Sequence, residues 1–372
     1  MADRAPDDDE LAAIRAKIDA TDDRILALLN ERAHLVADVA DLKALLQVPF
    51  YVPSRERQIA ERLSAANPGP FPTEAIRSVF QEIFSACLTL EKKVRVAYLG
   101  PEGTFSHQAV KRQFGLSARA TPMGSIPGVF EEVERGNADF GVVPIENTTE
   151  GIVHHTLDSF MDSDLKVSAE IALEVMMCLL GRPGTELAQI ERVYSIPIAL
   201  GQCRRWLATN LPRATLVEAR STADAARLAN DDARGAAVAS EMAAKLYDLA
   251  VVRRKIEDSS YNMTRFLLLG RAQAEPTGRD KTSVLLVTKD EPGILFRTLG
   301  AFAQRGLNMT KIESRPSRRA PWEYVFFVDI DGHERDEKVA AALAEVRAAC
   351  EKVKVLGSYP KADPIGQAAP SP

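Results

Sequence analysis

Cysteine is scarce in this sequence, and long apolar runs are absent. The four cysteines are Cys87, Cys178, Cys203 and Cys350. They form no CxxC pair, so the sequence predicts neither a disulfide framework nor a zinc site, and it fits reduced thiols in a cytoplasm. The longest apolar runs, such as residues 175–180, are too short to cross a bilayer, and the acidic residues 1–10 lack the apolar core of a secretory signal. We therefore expect a cytoplasmic protein without a membrane segment.

Positive charge is not in excess either. A formal net charge of −5 and a pI near 5.7 argue against a nucleic acid or a membrane surface as partner, because both require a basic surface. Any anion must be attracted by a local cluster of cations. With 372 residues, 46% apolar and 27% charged, the chain is predicted to form two or three globular domains.

A long amphipathic helix is predicted from Leu11 to Leu46, where neither glycine nor proline occurs. Apolar residues recur on one face in steps of three and four: Leu11, Ile14, Ile18, Ile25, Leu28, Leu35, Val39, Leu42 and Leu46. Two shorter helices, ending near Ala65 and Glu91, complete a helical domain that we assign to residues 8–92. A domain of this size cannot cover the apolar face by itself, so we predict a homodimer or a higher homo-oligomer.

Cations interrupt the apolar face of this helix. Arg32 lies on the face, where a buried guanidinium is destabilising unless an anion pairs with it. Lys43 follows at roughly 16 Å along the axis, so the two side chains can hold one small dianion. Arg15 is about 25 Å from Arg32 and can join this site only from a second copy. A dimerisation region with solvated charges is the alternative interpretation.

Five residues of this region resemble the all-helical chorismate mutases: Arg15, Arg32, Lys43, Arg55 and Glu56. The resemblance implies a dimer in which Arg15 of one chain and Arg32 of the other bind the two carboxylates of chorismate. It also implies that Lys43 donates to the ether oxygen and that Glu56 accepts from the ring hydroxyl, with Arg55 supporting the carboxylate end. The rearrangement to prephenate is a one-step pericyclic reaction that needs a folded conformer and a stabilised ether oxygen, and no nucleophile.

Three positions depart from the mutase pattern. Val52 stands where an Asp is familiar, Cys87 where a Ser is, and Glu91 where a Gln donates to the ether oxygen beside Lys43. A carboxyl group donates only when it is protonated, and an ionised one repels the developing negative charge. We therefore expect a mutase that is faster at mildly acid pH.

Residues 94–272 are predicted to form two α/β lobes around a ligand cleft, because strand-like and helix-like segments alternate. A glycine turn at residues 100–107 precedes a helix and offers backbone N–H groups to an anion, although most such turns only connect elements. The strand at 140–145 ends in the polar residues 146–149, which is typical of a ligand-contacting strand tip. His154 and His155 are adjacent and would point apart on a helix, so we predict no metal site.

A second polar cluster begins the strand that runs into Leu269. Asn262, Thr264 and Arg265 place an amide, a hydroxyl and a guanidinium side by side, and buried polar groups of this kind require partners. A guanidinium suits a carboxylate, and Phe266 adds a flat apolar surface. We interpret the stretch as the edge of an active site for an acid with a ring.

The motifs at residues 100–107, 144–151 and 262–266 together resemble the prephenate dehydratases. The resemblance implies loss of water and carbon dioxide from prephenate without a cofactor. Thr264 would donate the proton to the leaving hydroxyl, Arg265 would bind the pyruvyl carboxylate and Phe266 would pack beside the ring. Asn147 and Thr148 would bind the carboxylates, and Glu146 would influence the transfer of the proton. Ser195, Ile196, Pro197 and Ile198 depart from the His-Pro-Gln that the resemblance leads us to expect.

Residues 281–360 alternate in the order βαββαβ, which predicts a ferredoxin-like domain. Its motifs resemble ACT domains that close over phenylalanine between two subunits. The resemblance implies an allosteric phenylalanine site at Gly293, Ile294, Leu295, Asn308, Glu313, Ser314, Arg315 and Pro316. A dimerising domain without a ligand is the alternative. The tail from Lys361 is expected to be disordered.

These resemblances together predict a bifunctional enzyme that makes prephenate from chorismate and phenylpyruvate from prephenate, under feedback inhibition by phenylalanine. Two alternatives remain at this point. One is a dehydratase whose helical region only dimerises, since Val52, Cys87 and Glu91 depart from the mutase pattern. The other is an amino-acid sensor without catalytic activity, against which Thr264 and Arg265 argue.

Overall fold

A computed structural model describes residues 8–46, 48, 50–259, 261–288, 291–317 and 323–362 of the chain. Disorder was predicted for the tail from Lys361. Lys361 pairs with Asp331, and the N–H of Ala362 donates to Glu170, whereas the last ten residues lie outside the described part. The chain divides into two compact units. The first holds the described residues up to 52 together with 56–93 and 115–117, and the second holds the remainder. Within these described ranges, no helix has the length and apolar character needed to span a bilayer.

The first unit is helical, as predicted. Its helices are α1 (Asp8–Leu46), α2 (Pro53–Ala65) and α3 (Thr73–Glu91). Helix α1 extends over 39 residues and buries none of them, whereas α3 buries Phe84, Cys87 and Leu88 among others. The predicted apolar face of α1 is therefore exposed within one chain, and Leu28, for example, is 62% exposed.

The second unit begins with an α/β lobe, here called the first lobe. Its sheet has the order β2-β1-β3-β11-β5 with β4 beside β3. The strands are β1 (Arg95–Leu99), β2 (Arg119–Met123), β3 (Phe140–Asn147), β4 (Gly151–Ile152), β5 (Lys166–Glu174) and β11 (Met263–Gly270). The helices are α4 (Phe105–Phe114), α5 (Ile126–Glu134) and α6 (His154–Asp162). Strands β1, β2 and β3 are parallel, and β11 runs antiparallel between β3 and β5.

The second lobe is inserted between β5 and β11, so that the chain crosses twice between the lobes. Its sheet has the order β10-β6-β9-β7-β8. The strands are β6 (Cys178–Gly181), β7 (Arg192–Ser195), β8 (Thr215–Glu218), β9 (Gly235–Ala239) and β10 (Ala250–Arg253). The helices are α7 (Pro197–Gln202), α8 (Arg204–Asn210), α9 (Thr222–Asp231) and α10 (Glu241–Leu246), with a 3-10 turn at Leu187–Gln189. Two doubly wound lobes with crossing connections were predicted, and the structure has them.

A four-stranded antiparallel sheet follows, in the order β13-β14-β12-β15. Its strands are β12 (Asp280–Val287), β13 (Met309–Pro316), β14 (Tyr324–Asp331) and β15 (Lys352–Pro360), with helices α11 (Ile294–Ala303) and α12 (Glu337–Ala349). The βαββαβ order matches the prediction. The two helices cover one face of this sheet through Phe302, Leu343 and Val346. We call residues 280–360 the sensor region.

The other face of the sensor sheet packs on the first lobe. Leu285, Phe327 and Tyr359 share one apolar core with Val143 and Leu267, and all eight residues of β12 are buried. A Cβ atom at Gly357 of β15 would lie 2.8 Å from the backbone nitrogen of Val167, so only glycine permits this approach. The first lobe and the sensor region therefore share one interior.

Candidate active sites

The tip of β3 and the start of β11 form the centre of the dehydratase candidate. Asn147 pairs with Thr264 across the two strands, and its side-chain nitrogen Nδ2 donates to Thr264 Oγ1 at 2.8 Å and to Asn262 Oδ1 at 2.9 Å. Asn147 Oδ1 accepts the backbone N–H groups of Thr149 and Glu150 at 2.8 and 3.0 Å. Thr264 Oγ1 is thus a fixed acceptor, and its own proton can go to another group.

A side chain from the second lobe reaches this cluster. Gln202 ends α7, and its Oε1 accepts from Asn262 Nδ2 at 2.8 Å while its Nε2 donates to Glu150 Oε1 at 2.9 Å. The hydrogen bonds therefore continue from Thr264 through Asn147 and Asn262 to the opposite lobe. No sequence pattern pointed to Gln202, whose only signal was its place shortly after the loop at 195–198.

An open cleft of about 780 Å³ lies beside these groups. The polar residues that line it include Thr149, Glu150, Gln202, Arg205, Asp258 and Asn262. Thr264 is 9% exposed and is not among the lining residues. It lies behind Asn262, to which Asn147 joins it. That volume includes the open mouth of the cleft, through which a small dicarboxylate can reach these groups.

Thr148 differs from its predicted role. Its hydroxyl donates to the carbonyl oxygen of Tyr261 at 2.7 Å and accepts the backbone N–H of Met263 at 3.0 Å. The single donor of this hydroxyl and one of its two acceptor positions are thus used by the neighbouring backbone. Thr148 fastens the start of β11 to the tip of β3, and the structure gives it no free group for a substrate carboxylate.

Arg265 also differs from its predicted role, because consecutive side chains of a strand point to opposite faces of the sheet. Its guanidinium lies with Glu146 at 2.9 Å and with Glu170 and Asp329 at 3.2 Å each. Three carboxylates occupy the group that was expected to bind the pyruvyl carboxylate. Glu146, expected to tune the proton, is held by Arg265 and Lys311, whose charges outweigh the effect of burial and lower its pKa.

Phe266 and the glycine turn are parts of the scaffold. Phe266 is 2% exposed and is not among the residues that line the cleft. In the turn, Gly103 has φ of 84°, and its N–H donates to His107 Nδ1 at 3.2 Å. Its carbonyl oxygen accepts from Ser240 of the second lobe at 2.8 Å. Burial lowers the pKa of His107, whose ring stacks on Tyr98.

The mutase candidate lies in the first unit, around Lys43 of α1. Lys43 Nζ donates to the carbonyl oxygen of Phe50 at 2.7 Å and pairs with Glu91 Oε2 at 3.1 Å. The guanidinium carbon of Arg32 lies 5.1 Å from the centre of the Phe84 ring. Arg32 Nη1 is buried and has no hydrogen-bond partner among the described residues, which is costly unless an anion binds there.

Glu56 belongs to the same cluster. The hydroxyl of Tyr51 lies 3.4 Å from Glu56 Oε2. Burial raises the pKa of Glu56 to about 7, although hydrogen bonds from Tyr51 and Gln81 and the charges of Arg32 and Lys43 act in the opposite direction. This carboxyl group therefore changes its charge near neutral pH.

The remaining predicted mutase residues occupy different surroundings. Cys87 is buried in α3. Arg15 and Arg55 are exposed on α1 and α2. Exposure of Arg15 in one chain is consistent with its predicted site in a second copy.

Comparison with known proteins decides the family. Family sequence models match three consecutive stretches: chorismate mutase type II at 14–92, prephenate dehydratase at 96–274 and the ACT domain at 282–348. The bifunctional chorismate mutase/prephenate dehydratase of Aquifex aeolicus is 49% identical over 358 residues, which cover 95% of this chain and 99% of that protein. Its counterpart in Pseudomonas aeruginosa is 43% identical over 361 residues, with coverages of 96% and 99%. The chain belongs to the bifunctional chorismate mutase/prephenate dehydratases.

A solved structure resembles the second unit of this bifunctional mutase/dehydratase. The prephenate dehydratase of Arthrobacter aurescens, crystallised in complex with L-Phe, superimposes with a TM-score of 0.67 at 38% identity. The match covers 72% of this chain and 90% of that one. The predicted recognition of a mutase, a dehydratase and an ACT domain in one chain is confirmed.

In this bifunctional mutase/dehydratase, the predicted phenylalanine residues lie at two places of the sensor region. Gly293 has φ of 78° and precedes α11, which begins with Ile294 and Leu295. The others follow Asn308 along β13, where exposure alternates. Ser314 and Pro316 are exposed, Glu313 and Arg315 less so.

Arg315 has a partner in the first lobe. Its Nη2 lies 3.0 and 3.1 Å from the two carboxylate oxygens of Asp158 on α6. The structure thus places Arg315 in contact with the dehydratase and does not leave it free for an amino-acid ligand. Lys311, on the same side of β13, reaches Glu146.

Proposed function

We propose that this protein rearranges chorismate to prephenate and converts prephenate to phenylpyruvate, water and carbon dioxide in phenylalanine biosynthesis, under feedback inhibition by phenylalanine. The observation that carries the proposal is the Asn147–Thr264 hydrogen bond behind the inter-lobe cleft. It stands in a chain that matches bifunctional relatives over nearly its full length. We assign the helical domain to residues 8–92, the dehydratase domain to 94–272 and the ACT domain to 281–360.

In the mutase site, charge positions the substrate and stabilises the breaking bond. Arg32, whose Nη1 lacks a partner among the described residues, binds one carboxylate of chorismate. Lys43 leaves Glu91 and donates to the ether oxygen as the C–O bond breaks, while Glu56 accepts from the ring hydroxyl. No covalent intermediate is needed, so the rate enhancement comes from a fixed conformer and a preorganised cation.

A second copy completes this mutase site. The apolar face of α1 is exposed in one chain, and burial of such a face at roughly 25 cal/mol per Å² favours association. Arg15 of the partner chain then binds the second carboxylate, with Arg55 at the rim. We therefore propose a homodimer, and we place it in the cytoplasm, where its four free and buried cysteines remain reduced.

In the dehydratase site, Thr264 donates its proton to the C4 hydroxyl of prephenate and regains a proton from solvent water. The C–O bond breaks and water leaves, while the electron pair of the bond to the ring carboxylate enters the ring and carbon dioxide departs. The ring becomes aromatic, which drives the reaction. Asn147 holds Thr264 Oγ1 in place. Asn262 and Gln202 bind the substrate in the cleft from the two lobes.

Two assays on the purified protein test this function. Chorismate alone reports the mutase through its ultraviolet absorbance, and prephenate alone reports the dehydratase through phenylpyruvate. Lys43→Ala is expected to abolish the first activity and to leave the second at the wild-type rate. Thr264→Val is expected to do the reverse, with a loss of about 100-fold or more in kcat, whereas Thr264→Ser retains most of it because the hydroxyl remains.

The assays also separate the alternatives. A dehydratase with a merely dimerising helical region would turn over prephenate and leave chorismate unchanged. An amino-acid sensor would turn over neither substrate. Dehydratase kinetics that stay the same at saturating phenylalanine would remove the feedback part of the proposal and leave both activities standing.

A further inference from the structure

Six charged side chains meet where the sensor region covers the first lobe. We call them the interface ion cluster: Glu146, Glu170, Arg265, Lys281, Lys311 and Asp329. Arg265 lies at the centre, with Glu146 at 2.9 Å and both Glu170 and Asp329 at 3.2 Å. Lys281 pairs with Glu170 at 2.9 Å, and Lys311 pairs with Glu146 at 3.0 Å. Each region contributes three residues, and the charges balance.

The cluster is largely withdrawn from water. The side chains of Arg265, Glu170 and Asp329 are 15%, 5% and 10% exposed. Hydrogen bonds satisfy further oxygens, since Asp329 Oδ1 accepts from Ser283 at 2.5 Å and Glu170 Oε1 accepts the N–H of Ala362 at 2.7 Å. Loss of one partner would leave a buried charge without compensation, which is strongly destabilising. The ion pairs therefore stabilise the packing of the sensor region on the first lobe.

Two members of the cluster are next to the catalytic pair in both strands. Asn147 faces Thr264 in the ladder of β3 and β11, and Glu146 faces Arg265 in the adjacent pair. The ladder with β3 is irregular immediately after Arg265, whereas the ladder with β5 is regular from Met263 to Leu268. Strand β5 therefore fixes the backbone of Arg265, and Asp329 and Lys311 of the sensor region hold the side chains of Arg265 and Glu146.

We infer that Arg265 and Asp329 are positioning residues of the dehydratase, and that the state of the sensor region reaches Thr264 through them. The inference rests on the proposed function. When the sensor sheet is seated, Asp329 and Lys311 hold Arg265 and Glu146, and Thr264 keeps its place on Asn147. A sensor sheet that shifts withdraws both partners, and the catalytic pair loses its alignment. Phenylalanine acts on the reaction to the extent that it favours one of these two states.

The test compares Asp329→Asn and Lys311→Gln with Asp158→Asn in the full-length protein. Asp158→Asn breaks the Arg315–Asp158 pair. This pair joins the same two regions, but Asp158 lies on α6 and is not part of the interface ion cluster. For the two cluster variants we expect kcat for prephenate to fall between about 10-fold and 100-fold, with KM changed by less than threefold and mutase activity unchanged. Asp158→Asn is expected to keep the wild-type kcat.

The effector gives a second readout. Calorimetric titration with L-phenylalanine should give near wild-type binding to Asp329→Asn, while saturating L-phenylalanine lowers its remaining kcat by a smaller factor than in the wild type. A role in stability alone would not separate kcat from KM or binding from inhibition. The Arg265→Lys/Asp329→Asn double variant should lose less kcat than the product of the two single losses.

Two outcomes overturn the inference. One is a wild-type kcat and wild-type inhibition in both cluster variants. The other is a raised KM at constant kcat, which would place Arg265 on the substrate. Where Asp329→Asn yields no folded protein, Lys311→Gln decides by the same criteria, because it acts through the half-exposed Glu146. A wild-type protein without dehydratase activity would instead refute the proposed function.

Discussion

Asn147 and Thr264 face each other in neighbouring strands, with 2.8 Å between Asn147 Nδ2 and Thr264 Oγ1. The direction of this hydrogen bond is fixed, because Asn147 Oδ1 already accepts two backbone N–H groups and the nitrogen must therefore face Thr264. The amide thus makes Thr264 an acceptor and leaves its proton available to a substrate.

Reversal of that hydrogen bond should abolish dehydration. In Asn147→Asp, a carboxylate faces the hydroxyl of Thr264 and accepts a hydrogen bond from it. The proton is then no longer available to the substrate, so we expect kcat for prephenate to fall by about 100-fold or more. Asn137→Asp, whose wild-type amide binds Glu132 at the surface, serves as control. Phenylpyruvate formation measures the effect, and a wild-type rate in Asn147→Asp would contradict the role of Thr264.

Gln202 should contribute to substrate binding. It joins Asn262 of one lobe to the other lobe at the cleft, so Gln202→Ala breaks its hydrogen bonds to Asn262 and Glu150 and removes a polar side chain from the lining of the cleft. We expect KM for prephenate to rise by about 10-fold, which corresponds to the loss of one hydrogen bond. Gln304→Ala, on the exposed end of α11, is the matched control. A KM unchanged in Gln202→Ala would remove Gln202 from the site.

Sequence patterns predicted the helices and strands well because the relevant signals are local. Thirty-nine residues of α1 are specified by apolar spacing and the absence of proline, and β12 to β15 by strand periods separated by two helices. The relation between Thr264 and Arg265 is not specified locally. Alternation along β11 sends their side chains to opposite faces of the sheet, and the local sequence does not say which of them lies nearer the cleft.

The other differences depend on distant contacts. Arg265 is turned by Glu170 and Asp329, which lie 95 and 64 residues away in sequence. Arg315 looked like a ligand residue beside Ser314 and Pro316, but its partner Asp158 belongs to another domain. Thr148 was expected to bind a carboxylate, and the backbone that satisfies it comes from residues 261 and 263. No local pattern carries such information.

Gly357 should be required for close packing of the sensor region on the first lobe. A methyl group at this position would lie within 3 Å of the Val167 backbone, which cannot move without disturbing β5. We expect Gly357→Ala to destabilise the second unit by about 1–3 kcal/mol, measured by denaturant unfolding. Gly124→Ala, where no atom lies within 4 Å of the added methyl, is the control. Equal stability of the two variants would mean that the close approach does not hold in solution.

Glu91 should slow the mutase. In the free enzyme it pairs with Lys43, and a carboxylate beside the ether oxygen repels the negative charge that develops there. Glu91→Gln frees Lys43 and supplies a neutral donor, so its rate with chorismate should exceed that of the wild type. A wild-type rate in Glu91→Gln would show that this assignment is wrong.

Glu56 should make the mutase slower at acid pH, and it should have a separate effect on stability. Burial raises its pKa to about 7, and the ionised form is the stronger acceptor for a ring hydroxyl. We therefore expect kcat/KM of the mutase to fall as the pH drops below 7. The measurement uses Glu91→Gln, in which the carboxyl group of Glu91 does not contribute. Glu56→Gln in that background should remove the dependence.

The stability effect of Glu56 follows from linkage. Between the unfolded pKa of 4.5 and the folded pKa of about 7, the folded chain keeps a proton that the unfolded chain has released, so stability falls as the pH rises through this window. Glu56→Gln avoids that loss and should raise the Tm of the first unit at pH 8, with little change at pH 4.5. Glu61→Gln, exposed on the same helix, is the matched control in calorimetry. An equal change in Tm at both pH values would mean that folding does not shift the pKa of Glu56, and both expectations would then be wrong.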